Sequence, residues 1–345
     1  MGLTTGLSVA YSPLAEEAAR WDDVLGIATF GGRLQRASLL PEQIPAVHVP
    51  MAPLEGGAIR EIWRAPGHLE SGERGAVRYR RNGRVVFGCI VLRETDPLPP
   101  AAGGSPSTLH RITEQAYREI FAALDALEYP HLLRVWNYFP EINLDTHGIE
   151  RYRQFNSARR NALLAFGREL TGSVPAACAL GSEPGSPLVI YFIATRTAQR
   201  QIENPRQVSA YQYPPQYGPK PAFSRASVLQ DVDCNLLFIS GTASIVGHET
   251  LHIGDVAAQT RETLRNIDAL VEEANRGGAG RAFRPRDLAY KVYVRDATDL
   301  PAVQAELRST FGESFGAAYF KADICRQELL VEIEATGRQS GLSGA

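Results

Sequence analysis

The chain reads Arg118-Glu119, four residues, then Leu124-Asp125-Ala126-Leu127. It later reads Arg261-Glu262, four residues, then Ile267-Asp268-Ala269-Leu270. Both stretches carry helical periodicity: Ile120, Phe121, Leu124 and Leu127 form one apolar stripe, and Leu264, Ile267, Leu270 and Val271 form the other. Each helix stands between two strand-like runs. Val85 to Leu92 precedes the first and Leu132 to Phe139 follows it; Leu236 to Ser240 precedes the second and Leu288 to Val294 follows it. Helix and strand then alternate once more in each half. A long helix from about Ile149 to Leu170 leads to apolar Leu188 to Ile193. A helix from Pro301 to Phe311, with proline in its first turn, leads to Ala317 to Cys325 and Leu329 to Ile333. The pattern predicts an α/β (α+β) fold: two β-α-β-α-β units, at about 80–197 and 230–337, with mixed sheets backed by helices and packed around a cleft. The expected division is an amino-terminal domain over 1–200 that includes an irregular extension, a Tyr/Pro-rich linker over 201–229 that lines the cleft, and a carboxy-terminal domain over 230–345. The first 75 residues hold short strand-like runs, broken by Pro and Gly, that the pattern does not place.

The 345 residues are 44% hydrophobic and 21% charged, an ordinary globular composition. Basic and acidic side chains number 36 and 38, for a net charge of −2, and only Lys220, Lys291 and Lys321 are lysine. This balance does not suit a nucleic-acid partner. The densest basic run, Arg78, Arg80, Arg81 and Arg84 around Asn82-Gly83, reads as a hairpin. Codon usage in a GC-rich genome accounts for most of the arginine excess; the remaining reading is that some arginines clamp planar anions with their two-pronged guanidinium. No run reaches the ~18 apolar residues of a membrane span. The start of the chain lacks the charged and apolar regions of a signal peptide. Cys89, Cys178, Cys234 and Cys325 lie far apart without CxxC spacing. The expectation is a cytoplasmic chain with reduced thiols, no metal and no membrane partner.

Four local features invite a functional reading. His248-Glu249-Thr250-Leu251-His252 matches a zinc-protease pattern that needs a helix, yet it follows a strand and leads to Gly254-Asp255, which reads as the N-cap of the next helix. It therefore belongs to a loop. Helix 149–170 carries Tyr152, Phe155, Asn156, Arg159, Leu163 and Phe166 on one face, and an arginine in such a stripe needs either an internal ion pair or an anion. Tyr211, Tyr213 and Tyr217, stiffened by prolines, form either a surface strut or a pocket wall offering phenol hydroxyls. In Val331-Glu332-Ile333-Glu334-Ala335 the two glutamates share the face opposite Val331 and Ile333. That face is either solvated or lines a cleft, where desolvation would make a glutamate a general acid near neutrality. Cys325, just upstream, reads by itself as core.

Phe238-Ile239-Ser240-Gly241-Thr242-Ala243, the run from Gly254 to Arg261, and Val331 to Ala335 are together similar to the RidA (YjgF) family signature. Glu150-Arg151-Tyr152-Arg153-Gln154-Phe155-Asn156 with Arg159, and Glu203 to Tyr211 running on through Phe223-Ser224-Arg225-Ala226, resemble the chorismatases. These are RidA-like chorismate hydrolases and 3-hydroxybenzoate synthases. The likeness is specific over 150–337 and loose before that, with Ala158 in place of an expected Gly and Ala222 in place of an expected Ser. It implies a cofactor-independent enzyme that removes the enolpyruvyl group of chorismate as pyruvate. The implied proton donor is Glu332. Arg159 would clamp a substrate carboxylate, with Arg153 and Arg295 as further clamps, and Tyr211, Tyr213 and Tyr217 would be donors or pocket walls.

In the family, a cysteine seven residues before the glutamate accompanies the aromatic product, and Cys325 stands there. Gly241, Thr242 and Ala243 would form the wall opposite. The implied product is 3-hydroxybenzoate. The alternatives are hydrolysis to 3,4-dihydroxycyclohexa-1,5-diene carboxylate, a RidA-like enamine/imine deaminase, and a non-catalytic ligand-binding protein. The implied assembly is a monomer or a RidA-like trimer.

Overall fold

A computed structural model describes the chain except residues 1–5, 15–19, 32–39, 97–106, 169–173, 215–217, 231–233, 277–281 and 341–345. The amino-terminal stretch forms a sheet of its own from β1 (Ser8–Pro13), β2 (Val24–Phe30), β3 (Ala46–Val49) and β4 (Ile59–Arg64), in the order β1-β4-β2-β3. The first unit follows with β5 (Glu70–Arg74), β6 (Val77–Arg81), β7 (Val85–Leu92), α1 (Thr108–Leu127) and β8 (His131–Pro140). It continues with a small hairpin of β9 (Asp145–Thr146) and β10 (Ile149–Glu150), then α2 (Arg151–Ala165), β11 (Ala176–Ser182) and β12 (Leu188–Thr195). The second unit has β13 (Arg200–Ile202), β14 (Ala226–Gln230) and β15 (Cys234–Thr242), a hairpin of β16 (Ile245–Val246) and β17 (Glu249–Thr250), and α3 (Val256–Asn275). It ends with β18 (Ala289–Val294), α4 (Leu300–Phe311), β19 (Gly316–Lys321) and β20 (Val331–Ser340).

The two six-stranded sheets have the same topology. The first runs β5-β6-β7-β12-β8-β11 and the second runs β13-β14-β15-β20-β18-β19, so each strand of one has a counterpart in the other. The duplication seen in the two helices thus extends to every strand, and the fold is the expected pair of β-α-β-α-β units. The helices form where the periodicity put them. Ser107 caps α1 by accepting from the His110 N–H, and Asp255 caps α3 by accepting from Ala258. The apolar stripes of both helices are buried on their own sheets.

The structure departs from the sequence reading in three places. The helix read as 149–170 spans Arg151–Ala165, because Ile149 and Glu150 pair with Asp145 and Thr146 and because Gly167 at φ 60° turns the carbonyl end. Strand β11, Ala-Ala-Cys-Ala-Leu-Gly-Ser, has no β-branched residue to announce it; its parallel pairing with β8 makes it a strand. The 201–229 stretch is not all linker, since its ends, β13 and β14, add an antiparallel hairpin edge to the second sheet.

The apolar faces of all three sheets meet in one core. The Trp63 ring of β4 lies 5.5 Å from Trp136 of β8 and 5.9 Å from Phe238 of β15. At the seam between the units, the Ser227 and Ser240 hydroxyls accept from the backbone N–H groups of Ala176 and Ala177, at 3.2 and 2.9 Å. Gly181 N–H donates to the Asp323 carbonyl at 2.7 Å. Beside this seam the sheets diverge, and a cavity opens.

Candidate active site

The cavity has a volume of about 280 Å³. Helix α2 supplies Tyr152 and Arg153, the Tyr/Pro-rich segment supplies Tyr213 and Arg225, and β20 supplies Glu332 at the floor. Gly241 and Ala243 form the opposite wall, while Cys325, Arg326 and Glu328 border the cavity from the β19–β20 connection. A recess of about 30 Å³ continues inward past Glu332 and Cys325 to Arg159 and Cys178.

Glu332 is buried, as is Glu334 on the same face of β20. Val331, Ile333 and Ala335 face the helices, so the opposite face, which sequence alone left open between solvent and cleft, is the inter-sheet interior. Burial, then the adjacent Glu334 charge, raises the Glu332 carboxyl to about 8, against the lowering pull of Arg134. Its oxygen Oε2 lies 3.9 Å from Cys325 Sγ. Burial and the Glu332 charge push the Cys325 thiol up, so it stands as a neutral group at neutral pH.

The space for Glu332 depends on Gly241. A β-bulge between Ile239 and Thr242 brings Gly241 against β20, and a Cβ on it would run into Glu332 Oε1 and lie 3.2 Å from Cys178 Cβ. A side chain at this position would displace the acid.

Arginines ring this acid. Arg159 is 4% exposed at the inner recess; it donates to Asn156 Oδ1 at 3.1 Å, stacks 5.3 Å from the Phe155 ring, and its buried Nε has no acceptor. Arg153 lines the mouth beside Glu150, 3.5 Å away. Two further cations are ones the sequence reading did not single out. Arg225 donates to the Val208 carbonyl at 2.8 Å and to Tyr213 Oη at 2.7 Å, leaving a buried Nε without an acceptor. Arg326 donates to the His248 carbonyl at 2.9 Å and lies 5.4 Å over the Tyr213 ring. Phe223-Ser224-Arg225 stood within the motif that carried the resemblance, so Arg225 had a signal; Arg326, in a turn, had none. Four guanidiniums face two carboxylates other than Glu332, a balance suited to a small dianion.

Other candidates lie elsewhere. Arg295 does not line the cavity: it donates to Leu329, Ile324 and Arg326 carbonyls, Asn143 Oδ1 and Asp323 Oδ1, at 2.8–3.1 Å. Its five N–H groups are committed to closing the β19–β20 connection. Thr242 alternates away from Gly241 and Ala243, and its hydroxyl donates to the Ser240 carbonyl at 2.8 Å. Tyr211 is half-buried in a short 3-10 turn outside the cavity lining, and Tyr217 lies outside the described residues. The His248–His252 segment forms the β16–β17 hairpin and the turn after it, with His252 at φ 58°, so its histidines do not share a helix face. Among the described residues, no group of three or more His, Cys, Asp or Glu is gathered to hold a metal, and no helix is long and apolar enough to cross a membrane.

Known proteins share this sequence and fold. Residues 61–194 match the family model described as chorismatase FkbO/Hyg5-like, N-terminal. A chorismatase of Streptomyces rapamycinicus is 38% identical over 86% of this chain and 87% of its own length. A 3-hydroxybenzoate synthase of Streptomyces hygroscopicus is 34% identical over 90% and 91%. A crystal structure of a chorismatase superposes with a TM-score of 0.85 at 31% identity, covering 97% of this chain and 99% of that one. With relatives this similar along nearly their whole length, and with the same fold, the chain belongs to the chorismatase family.

Proposed function

We propose that the protein acts on chorismate, removes its enolpyruvyl group as pyruvate, and releases 3-hydroxybenzoate. The observation that carries this reading is a buried carboxyl at the floor of a cavity ringed by arginines, where burial and the adjacent Glu334 charge favour its protonated form. An enol ether is a weak base at its terminal carbon, so its activation calls for a carboxylic acid held protonated at neutral pH. Glu332 gives its proton to the terminal CH₂, the C=C electron pair forms the new C–H bond, and the ether carbon becomes an oxocarbenium ion. Arg159 and Arg225, with unfilled guanidinium positions, hold the two substrate carboxylates, with Arg153, Arg326 and Tyr213 nearer the mouth.

The product follows from what meets the oxocarbenium ion. Addition of one water and collapse would give pyruvate and the dihydroxycyclohexadiene carboxylate. An intramolecular course divides chorismate into pyruvate and 3-hydroxybenzoate with no net water. The neutral Cys325 thiol beside Glu332 supports the second course. A water needs two or more polar partners to be held for attack, and a thiol is a poor one. The four cysteines form no disulfide among the described residues, which fits the reducing cytoplasm.

The test is direct. Purified protein is incubated with chorismate, pyruvate is followed through coupled NADH oxidation, and the ring product is identified by chromatography. Pyruvate and 3-hydroxybenzoate in equal amounts are expected. No pyruvate above background sinks the reading; pyruvate with the dihydroxydiene sinks only the choice of product.

A further inference from the structure

A buried ladder of charge runs from the amino-terminal sheet to the strand that carries Glu332. Glu61 on β4 meets Lys291 on β18 at 2.7 Å, and Lys291 meets Glu334 on β20 at 2.7 Å. Glu334 also receives Arg134 of β8, at 2.6 Å. Glu61, Arg134, Lys291 and Glu334 are 0%, 1%, 2% and 3% exposed. Neutral donors complete the set. Trp63 Nε1 and Tyr191 Oη donate to Glu61 Oε1 at 2.6 and 3.2 Å, and Trp136 Nε1 donates to Glu334 Oε1 at 2.8 Å. Lys291 donates its remaining proton to Tyr191 Oη at 3.1 Å.

Stability does not account for this ladder. Desolvating four charges costs so much that well-packed apolar side chains of similar volume do as well or better. The two cations and two anions balance, and the carboxylate nearest the cavity, Glu334, is fixed as an anion: burial pushes it up, but Lys291 and Arg134 outweigh that and hold it below the ordinary range. Two residues along the same strand face stands Glu332, whose one hydrogen-bond partner among the described residues is the Cys325 thiol.

We propose that Glu61, Lys291 and Glu334 are positioning residues for the reaction, a charge ladder through which the amino-terminal sheet holds a fixed negative charge beside Glu332 and so keeps it a proton donor. The inference rests on Glu332 being the acid of the proposed function. The other groups facing Glu332 do not take over this role. Arg134 from β8 and Arg295 after β18 favour its anion. Cys325 on the β19–β20 connection, Cys178 on β11 and Tyr152 on α2 are neutral at neutral pH, each pushed up first by burial. Arg159 on α2, Arg225 of the Tyr/Pro-rich segment and Arg326 share its cavity as cations, with Glu150 and Glu328 at the mouth. Glu334 is the negative charge set against Glu332 from within the core, and Lys291 and Glu61 keep that charge in place without adding net positive charge.

Two readouts test this. One is the pH dependence of kcat with chorismate, whose alkaline limb reports loss of the Glu332 proton. The other is infrared titration of the protonated carboxyl band that is absent in Glu332→Gln, which needs no turnover. In Glu61→Gln, Lys291 loses one of its two anions, and both midpoints move to lower pH. In the double variant Arg134→Met/Glu334→Gln, which leaves no charge unpaired, both midpoints fall by roughly one pH unit. Loss of a purely structural contact lowers the melting temperature without moving either midpoint. Wild-type midpoints in folded variants overturn the proposal. If Glu61→Gln does not fold, the balanced double variant decides alone. Absence of pyruvate from the wild type refutes the functional reading while leaving the infrared midpoints to judge the ladder; turnover with unmoved midpoints refutes the ladder alone.

Discussion

At the scale of single residues, the site turns on a carboxyl whose charge is unwelcome. Replacing Glu332 with Gln keeps the shape and removes the proton. Chorismate turnover should drop by roughly a thousandfold or more, while a dicarboxylate inhibitor still binds in equilibrium dialysis. The same variant should gain stability. The native carboxyl holds its proton up to about 8 and the unfolded one releases it near 4.5, so between those values the unfolded state binds fewer protons. Wild-type stability therefore falls as pH rises through that window, at ~1.4 kcal/mol per unit. Glu332→Gln, which does not ionise, should exceed the wild type by a few kcal/mol in urea unfolding at pH 8 and match it below pH 4. Equal stabilities at both pH values would contradict the buried, protonated carboxyl. Cys325→Ala should move the ring product towards the dihydroxydiene, because the vacated space admits water beside the oxocarbenium carbon. An unchanged product ratio on chromatography would leave Cys325 as packing alone. Glu332 and Cys325 were legible as a pair only through the resemblance. Gly241's part as the gap that Glu332 fills was not, because it depends on a bulge that sequence does not display.

At the scale of elements, the connection between β19 and β20 carries the most chemistry in the fewest residues. It brings Cys325, Arg326 and Glu328 to the cavity, and Arg295 holds it through carbonyls at 324, 326 and 329. Arg295→Ala should leave those carbonyls without their donor and cost about 2–4 kcal/mol in chemical denaturation. Turnover should fall through misplacement of the loop. Unchanged stability would return Arg295 to the candidate clamps. Helix α2 shows how far periodicity reaches. The i, i+3, i+4, i+7 face carried Tyr152 and Arg159 to the site as a stripe should, yet both ends of the helix were set by the β9–β10 pairing and by Gly167. Strand β11 carried no propensity signal and exists because β8 offers it a parallel edge.

At the scale of the molecule, three sheets share one core, and Trp63 touches the other two. Trp63→Ala removes that contact and the donor to Glu61, and should cost about 3–5 kcal/mol. The loss should appear in one transition, with circular dichroism and tryptophan fluorescence unfolding together; separate transitions would mean that the amino-terminal sheet is an independent domain. The amino-acid sequence by itself determined the duplicated helices and strands, because hydrophobic period and capping are local. It also placed an arginine on an apolar helix stripe, while the pairing of Glu332 with Cys325 came only through the resemblance. The tertiary structure decided which side chains converge. It turned the Glu332–Glu334 face inward, committed Arg295 to a loop, and brought Arg225 and Arg326 to the cavity. It also set Glu61, far earlier in the chain, against Lys291. Those outcomes depend on which sheet faces which across the core, and so on long-range packing and buried charge balance that no window of sequence contains.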